Sequence, residues 1–274
     1  VDLPAPPDPL PHPVVDTHCH LDATQELSGL EPADALARAA AVGVPRVVQV
    51  GCDVPSSAWA VEAAGRLPGV VAAVALHPND AARLGDGLAD GLEAIAALAG
   101  RPGVRAVGET GLDFFRTPDA AGQARQREAF AAHIALAHAH DLTLVIHDRD
   151  AHAAVLDVLD AEGVPDRVVM HCFSGDAAFA RACLDRGAHL SFAGPVTFKP
   201  NHHLREALAL TPADRLLTET DAPYLTPVPL RGRPNASYLV PHTVRFLADQ
   251  LATDLAGLCA RLDANAEAAF GGAW

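Results

Sequence analysis

Lysine is nearly absent from this chain of 274 residues: Lys199 is its only one, Met170 is its only methionine, and aromatic residues make up 5%. Basic residues number 20 against 34 acidic ones, a formal charge of -14. Such a balance excludes passive adhesion to long duplex nucleic acid or anionic lipid, because that binding is driven by phosphate neutralisation. Disulfide scaffolding is excluded as well. Cys19, Cys52, Cys172, Cys183 and Cys259 are odd in number, widely spaced and without a CxxC pair, which suits a reducing compartment. No apolar run approaches the ~20 residues of a membrane span. The first residues have neither the basic start nor the apolar centre of a signal peptide. The expectation is a cytoplasmic protein with no membrane contact and no obligate protein partner.

Half of the residues are hydrophobic, enough for a large core, and 22 Pro and 21 Gly are dispersed as punctuation between short elements. The exception is residues 1–13, VDLPAPPDPLPHP, whose six prolines predict an extended surface lead-in ahead of a single domain over 14–274. Within that domain, apolar and β-branched runs predict strands at 14–17, 46–50, 70–75, 104–108, 143–146, 167–170, 189–192 and 216–218. Helical patterns follow at 32–42, 56–66, 87–99, 123–140, 151–161, 177–186, 202–210 and from 241 onward. The clearest is 123–140, with Phe130, Ile134 and Ala137 on one stripe. Eight βα repeats in one chain of this length predict an α/β fold, a single (β/α)8 TIM barrel. An open doubly wound sheet lacks its usual support, since no GxGxxG follows the first strand.

Chemistry in such barrels sits at the C-terminal ends of the strands. Five of the 14 histidines fall there, His18, His20, His77, His147 and His171, together with Glu109 and Asp221. His18 and His20 share one side of the first strand by alternation, with Cys19 on the other, and Glu219 and Asp221 share a side in the same way. Imidazoles and carboxylates converging on one opening suit divalent transition metals. The set is rich enough for two ions, Glu109 bridging, His18, His20 and Asp221 on one side and His147 and His171 on the other. Paired ions point to metal-assisted hydrolysis.

Read in order, VDTHCHLD, LHP, GETGLDFF, VIHDRDA, HCFSG, SFAGPVTFK and ETDAPYLTPVPLRG run from Val15 to about Asn235. This series resembles the TatD-type metal-dependent deoxyribonucleases within the amidohydrolase-like barrels. The resemblance implies two divalent ions (Mg2+, Mn2+ or Zn2+) and hydrolysis of phosphodiesters in DNA strand ends or short single-stranded nucleic acid, from a 3′ end. It carries the metal ligands onto His18, His20, Glu109, His147, His171 and Asp221. It also implies Asp221 as the base acting on water and Glu219 as a partner of the ligands, a structural hydrogen bond being the competing reading for Glu219. His77, Arg149, Ser174, Lys199 and Arg231 would meet substrate, although a turn-forming serine is the simpler reading of Ser174. The chain departs from the family pattern at Ala75, where Gly is usual, at His133, where Gln is common, and at Ala236, where Pro usually follows the Asn.

Two other functions fit parts of this pattern. A small-molecule amidohydrolase often bridges its metals with a carboxylated lysine after the fourth strand, but Glu109 stands there and Lys199 is elsewhere. An aminoacyl-ester deacylase would also suit a two-metal site. A non-catalytic interaction scaffold would have no physical need for four converging imidazoles.

Overall fold

The computed structural model describes residues 2–274; Val1, the first residue of the expected lead-in, lies outside the described residues. Eight strands follow one another around one sheet in chain order: β1 (Val15–Cys19), β2 (Arg46–Val50), β3 (Val70–Val74), β4 (Val104–Asp113), β5 (Thr143–Arg149), β6 (Val168–Met170), β7 (His189–Phe192) and β8 (Leu216–Thr218). Neighbours from β1 to β8 pair in parallel. Between the strands run α1 (Leu21–Ser28) and α2 (Pro32–Ala41), α3 (Val54–Arg66), α4 (Pro78–Leu84) and α5 (Leu88–Ala99), α6 (Ala120–His140), α7 (His152–Glu162), α8 (Ala177–Leu184) and α9 (His202–Leu210). The chain ends on α10 (Val240–Gln250) and α11 (Leu255–Ala269). No helix among the described residues is long and apolar enough to cross a membrane.

Strands such as β3, VVAAV, are buried at every position because helices cover one face and the barrel interior the other. Helix starts are marked by carboxylates: Asp53, Asp119, Asp176 and Asp254 each accept a backbone N–H in the first turn of α3, α6, α8 and α11. The stripe expected on α6 is buried at Phe130, Ile134 and Ala137.

The seam between β8 and β1 closes just past the end of β8. Asp221 N donates to His18 O at 2.9 Å and His20 N to Ala222 O at 2.8 Å. Below them the buried Asp16 carboxylate accepts from Thr220 N at 2.8 Å and from Thr220 Oγ1 at 2.6 Å. Burial pushes the Asp16 carboxyl up to about 7, against the lowering effect of its hydrogen bonds from Thr220. At the opposite end, Phe270 packs with Val15, Val71 and Ala106 in the lower barrel core. Thr143 Oγ1 donates to Ala269 O at 2.6 Å and Arg105 Nη1 to Gly271 O at 2.8 Å, so the C-terminal segment covers the floor.

The proline-rich segment is fastened to the barrel wall. Leu10 is buried in the core, Tyr238 Oη donates to Pro4 O at 2.8 Å, and Arg245 Nη2 donates to Asp8 O at 2.7 Å and Pro9 O at 3.1 Å.

Candidate active site

The mouth of the barrel is built around Glu109. Its Oε1 accepts from His147 Nδ1 at 2.7 Å and lies 2.8 Å from His171 Nε2 and 3.6 Å from His77 Nε2. Its Oε2 faces the other way, 3.5 Å from His18 Nε2 and 4.0 Å from Cys52 Sγ. β4 does not stop before Glu109, as the apolar run suggests, but continues to Asp113 alongside β5, with Gly111 opposite His147. Glu109, Gly111 and Asp113 are therefore successive residues of one strand face.

β1 supplies His18, and His20 follows directly at its end. His20 Nδ1 donates to Val50 O at 2.9 Å, which leaves Nε2 as the lone-pair nitrogen, 3.4 Å from Asp221 Oδ1. His18 Nε2 is 3.8 Å from the same oxygen. Asp221 sits at φ 54, a left-handed turn position that aspartate tolerates, and its carbonyl accepts from Tyr224 N at 2.9 Å. Glu219 is wholly buried beneath. Its Oε1 accepts from His171 Nδ1 at 2.8 Å and from Cys172 N at 2.9 Å, and thereby turns His171 Nε2 toward Glu109.

Charge in this cluster is held by mutual compensation. Burial works to raise Glu109, but the His171 and His77 imidazoles and hydrogen bonds from His147 and His171 keep it well below the usual carboxylate range. Burial opposes ionisation of Asp221 too, and His20, His171 and His18 outweigh it. Burial disfavours the charge on His147, yet Asp113 and Glu109 push it up to about 9. His18 is lowered by burial and by the neighbouring His171, and burial takes His77 down to about 3.

Both ring nitrogens of His18 are buried without a hydrogen-bond partner, and His147 Nε2, though 3.4 Å from Asp113 Oδ2, has none of hydrogen-bond geometry. Orphaned imidazole nitrogens beside carboxylates fit a divalent cation, which would compensate the charge that protons now carry. Three overlapping donor sets have the spacing to hold one: His18, His171 and Asp221; His18, His20 and Glu109; and His77, Glu109 and His147. All six ligands expected from the sequence thus come together. His77, expected at the substrate, joins one of the sets.

The other substrate-contact expectations separate. Arg149 is exposed at the end of β5 with its guanidinium 3.9 Å from the Phe115 ring centroid, and the exposed Arg231 lies 4.4 Å from that of Phe198. Lys199 is exposed after β7. Ser174 Oγ donates to Asp148 O at 3.0 Å, a bond that ties the loop after β6 to the end of β5. Asp113 was missed, although strand alternation from Glu109 would have found it. Asp113 Oδ2 accepts from Asn79 Nδ2 at 3.0 Å, and Gln126 Nε2 and Oε1 bind the Asp113 backbone, so α6 fixes the end of β4.

Known proteins are similar to this chain over most of its length. The profile of the family described as "TatD related DNase" matches residues 15–271. A Mycobacterium tuberculosis protein named "Uncharacterized metal-dependent hydrolase TatD" is 46% identical over 264 residues, 95% of this chain and 99% of the relative. The Salmonella typhimurium "3'-5' ssDNA/RNA exonuclease TatD" is 37% identical over 248 residues, 86% of this chain and 92% of its own length. Among solved structures, YJJV, a TatD homologue from Escherichia coli K12, superposes with a TM-score of 0.85 at 26% identity, covering 95% of this chain and 98% of that one. With a barrel whose mouth gathers imidazoles and carboxylates at metal-holding distances, and with the family profile and relatives spanning nearly the whole domain, the chain belongs to the TatD family of metal-dependent hydrolases.

Proposed function

We propose that the chain is a 3′-end exonuclease of single-stranded nucleic acid, holding two divalent ions through His18, His20, Glu109, His147, His171 and Asp221. The two-sided environment of Glu109 carries this reading: one carboxylate oxygen belongs to the His147 and His171 side, the other to the His18 side. Paired divalent ions, when bound, polarise a phosphoryl oxygen and make water a competent nucleophile at neutral pH. The chain's own residues supply position and proton transfer. Asp221 is the carboxylate that water reaches: its side chain is 14% exposed, against 6% for Glu109 and 0% for Glu219. Its Oδ1, 3.4 Å from His20 Nε2 and 3.8 Å from His18 Nε2, is assigned as acceptor of the proton from the attacking water. Glu219 orients His171. His77, facing Glu109 beside His147, completes the second half of the centre or meets the phosphate being transferred.

The substrate assignment is supported by the relative that is named a 3'-5' ssDNA/RNA exonuclease. The net charge of -14 supports contact with one or two nucleotides at a strand end over capture of a long duplex. Lys199 is exposed after β7, away from the position a carboxylated lysine would need, which disfavours that branch of small-molecule hydrolysis.

The test is digestion of 3′-labelled and 5′-labelled single-stranded DNA with added magnesium, manganese or zinc, with a chelator control and Asp221→Ala in parallel. Stepwise shortening from the 3′ end that the variant and the chelator both abolish is expected. Intact oligonucleotide under every metal, with ester or amide substrates turned over, overturns the nuclease reading.

A further inference from the structure

Beside the mouth lies a cleft of about 590 Å3 between α4, the loop after β4 and the start of α6, lined by Asn79, Arg83, Phe115, Arg116 and Arg125 among others. Three arginines in one cleft stand out in a chain with only 20 basic residues against 34 acidic ones. One of the three is paired with a carboxylate, and a second carboxylate, Asp119, lines the cleft. Asp80 pairs with Arg83, and Asp119 caps α6 by accepting from Gly122 N at 2.7 Å. Arg125 Nη1 donates to Ala82 O at 3.2 Å, and Arg116 is exposed with no ion pair among the described residues. Phe115, 59% exposed, projects its ring into the same cleft under the Arg149 guanidinium.

The cleft shares a wall with the catalytic cluster. Asn79 lines it and donates from Nδ2 to Asp113 Oδ2, which lies 3.4 Å from His147 Nε2. An exposed aromatic ring held by an arginine, next to Arg116 and Arg125, which make no ion pair among the described residues, is the chemistry that receives a nucleobase and its flanking phosphate. We propose that this cleft is a nucleotide subsite of the substrate strand, with a base stacked on Phe115 and the adjoining phosphate held by Arg116 and Arg125. The occupant is single-stranded nucleic acid, and in this the inference rests on the nuclease reading. The cleft takes any base, because it offers a ring face and cations rather than a fixed pattern of donors and acceptors to a base edge.

The test separates binding from cleavage. Protein stripped of metal by chelator is titrated into a single-stranded DNA of about eight nucleotides, within the usual length range of such sites, carrying 2-aminopurine near its 3′ end. The same is done with a dinucleotide, and the wild type is compared with Phe115→Leu and Arg116→Ala; hydrolysis is then followed with manganese. The longer strand is expected to bind the wild type roughly 10-fold more tightly than the dinucleotide, with 2-aminopurine quenched on binding. Phe115→Leu should relieve the quenching, and Arg116→Ala should raise KM with kcat unchanged and shrink the salt slope by about 0.7. Equal affinity for the two lengths, or variants that bind and quench like the wild type, overturns the subsite even if DNA is cleaved. Length-dependent, Phe115-dependent binding without cleavage keeps the subsite and removes the nuclease reading.

Discussion

His133 shows what a single departure from the family pattern does inside this barrel. Its ring is buried between β3 and β4, Leu76 N donating to Nε2 at 3.3 Å and Nδ1 donating to Thr110 Oγ1 at 2.7 Å. Acceptance at Nε2 needs the neutral ring, and burial brings its pKa down to about 3. An unfolded chain protonates this histidine near pH 6.5 while the folded one does not, so its contribution is intact above that value and is lost as pH falls from about 6.5 toward about 3. By pH 5 the loss from this residue is about 2 kcal/mol. Replacing His133 with Gln, the residue common in the family, should remove that part of the acid sensitivity. Urea unfolding of both proteins at pH 7 and pH 5 measures it, and equal losses in the two would show that His133 is not the sensor. At this scale much of the site was legible, because the six expected ligands lie just at or beyond runs of apolar residues. The Asp113 contact was hidden, since the polar stretch GETGLD reads as a loop until its pairing with β5 makes it strand.

At the scale of elements, β4 and β5 determine whether the centre forms. Gly111 has φ 129, and a Cβ there would lie 2.1 Å from His147 O, so no side chain fits without parting the two strands. Gly111→Ala should cost more than about 2 kcal/mol, through overpacking and an unsuitable backbone, and should separate Glu109 from His147. Thermal unfolding together with metal content of the purified variant tests this; a stable protein that still loads metal fully would show that the approach of β4 to β5 is not what assembles the site. The eight strands were readable because parallel strands under helices carry continuous apolar sequence. Two helices were not. α1 begins directly after His20, with no side-chain cap to announce it. α4 spans seven residues and is capped by the ring of His77, whose Nδ1 accepts from Asn79 N at 3.1 Å, a role that nothing in the residue type foretells.

For the whole molecule, the proline-rich segment belongs to the stability of the barrel even though its composition reads as an accessory. Leu10 and the Pro4 carbonyl fill places the barrel leaves for them. Removing residues 1–13 exposes the Leu10 pocket and strands the buried Tyr238 hydroxyl, at a combined cost of about 3 to 5 kcal/mol. The melting temperature should drop by roughly 10 °C with the metal site unaltered, and an unchanged melting curve would show the segment to be a passenger. Barrel closure, by contrast, was visible only as a count of βα repeats, since the seam depends on Asp16 and Thr220, which are 204 positions apart.

The floor beneath Phe270 has a further consequence for traffic. A barrel sealed at one end is a cul-de-sac: whatever is cut loose at the metal centre has to depart through the entrance by which the strand arrived. On the exonuclease reading, each released nucleotide and the shortened strand share that one doorway, the mouth of the barrel.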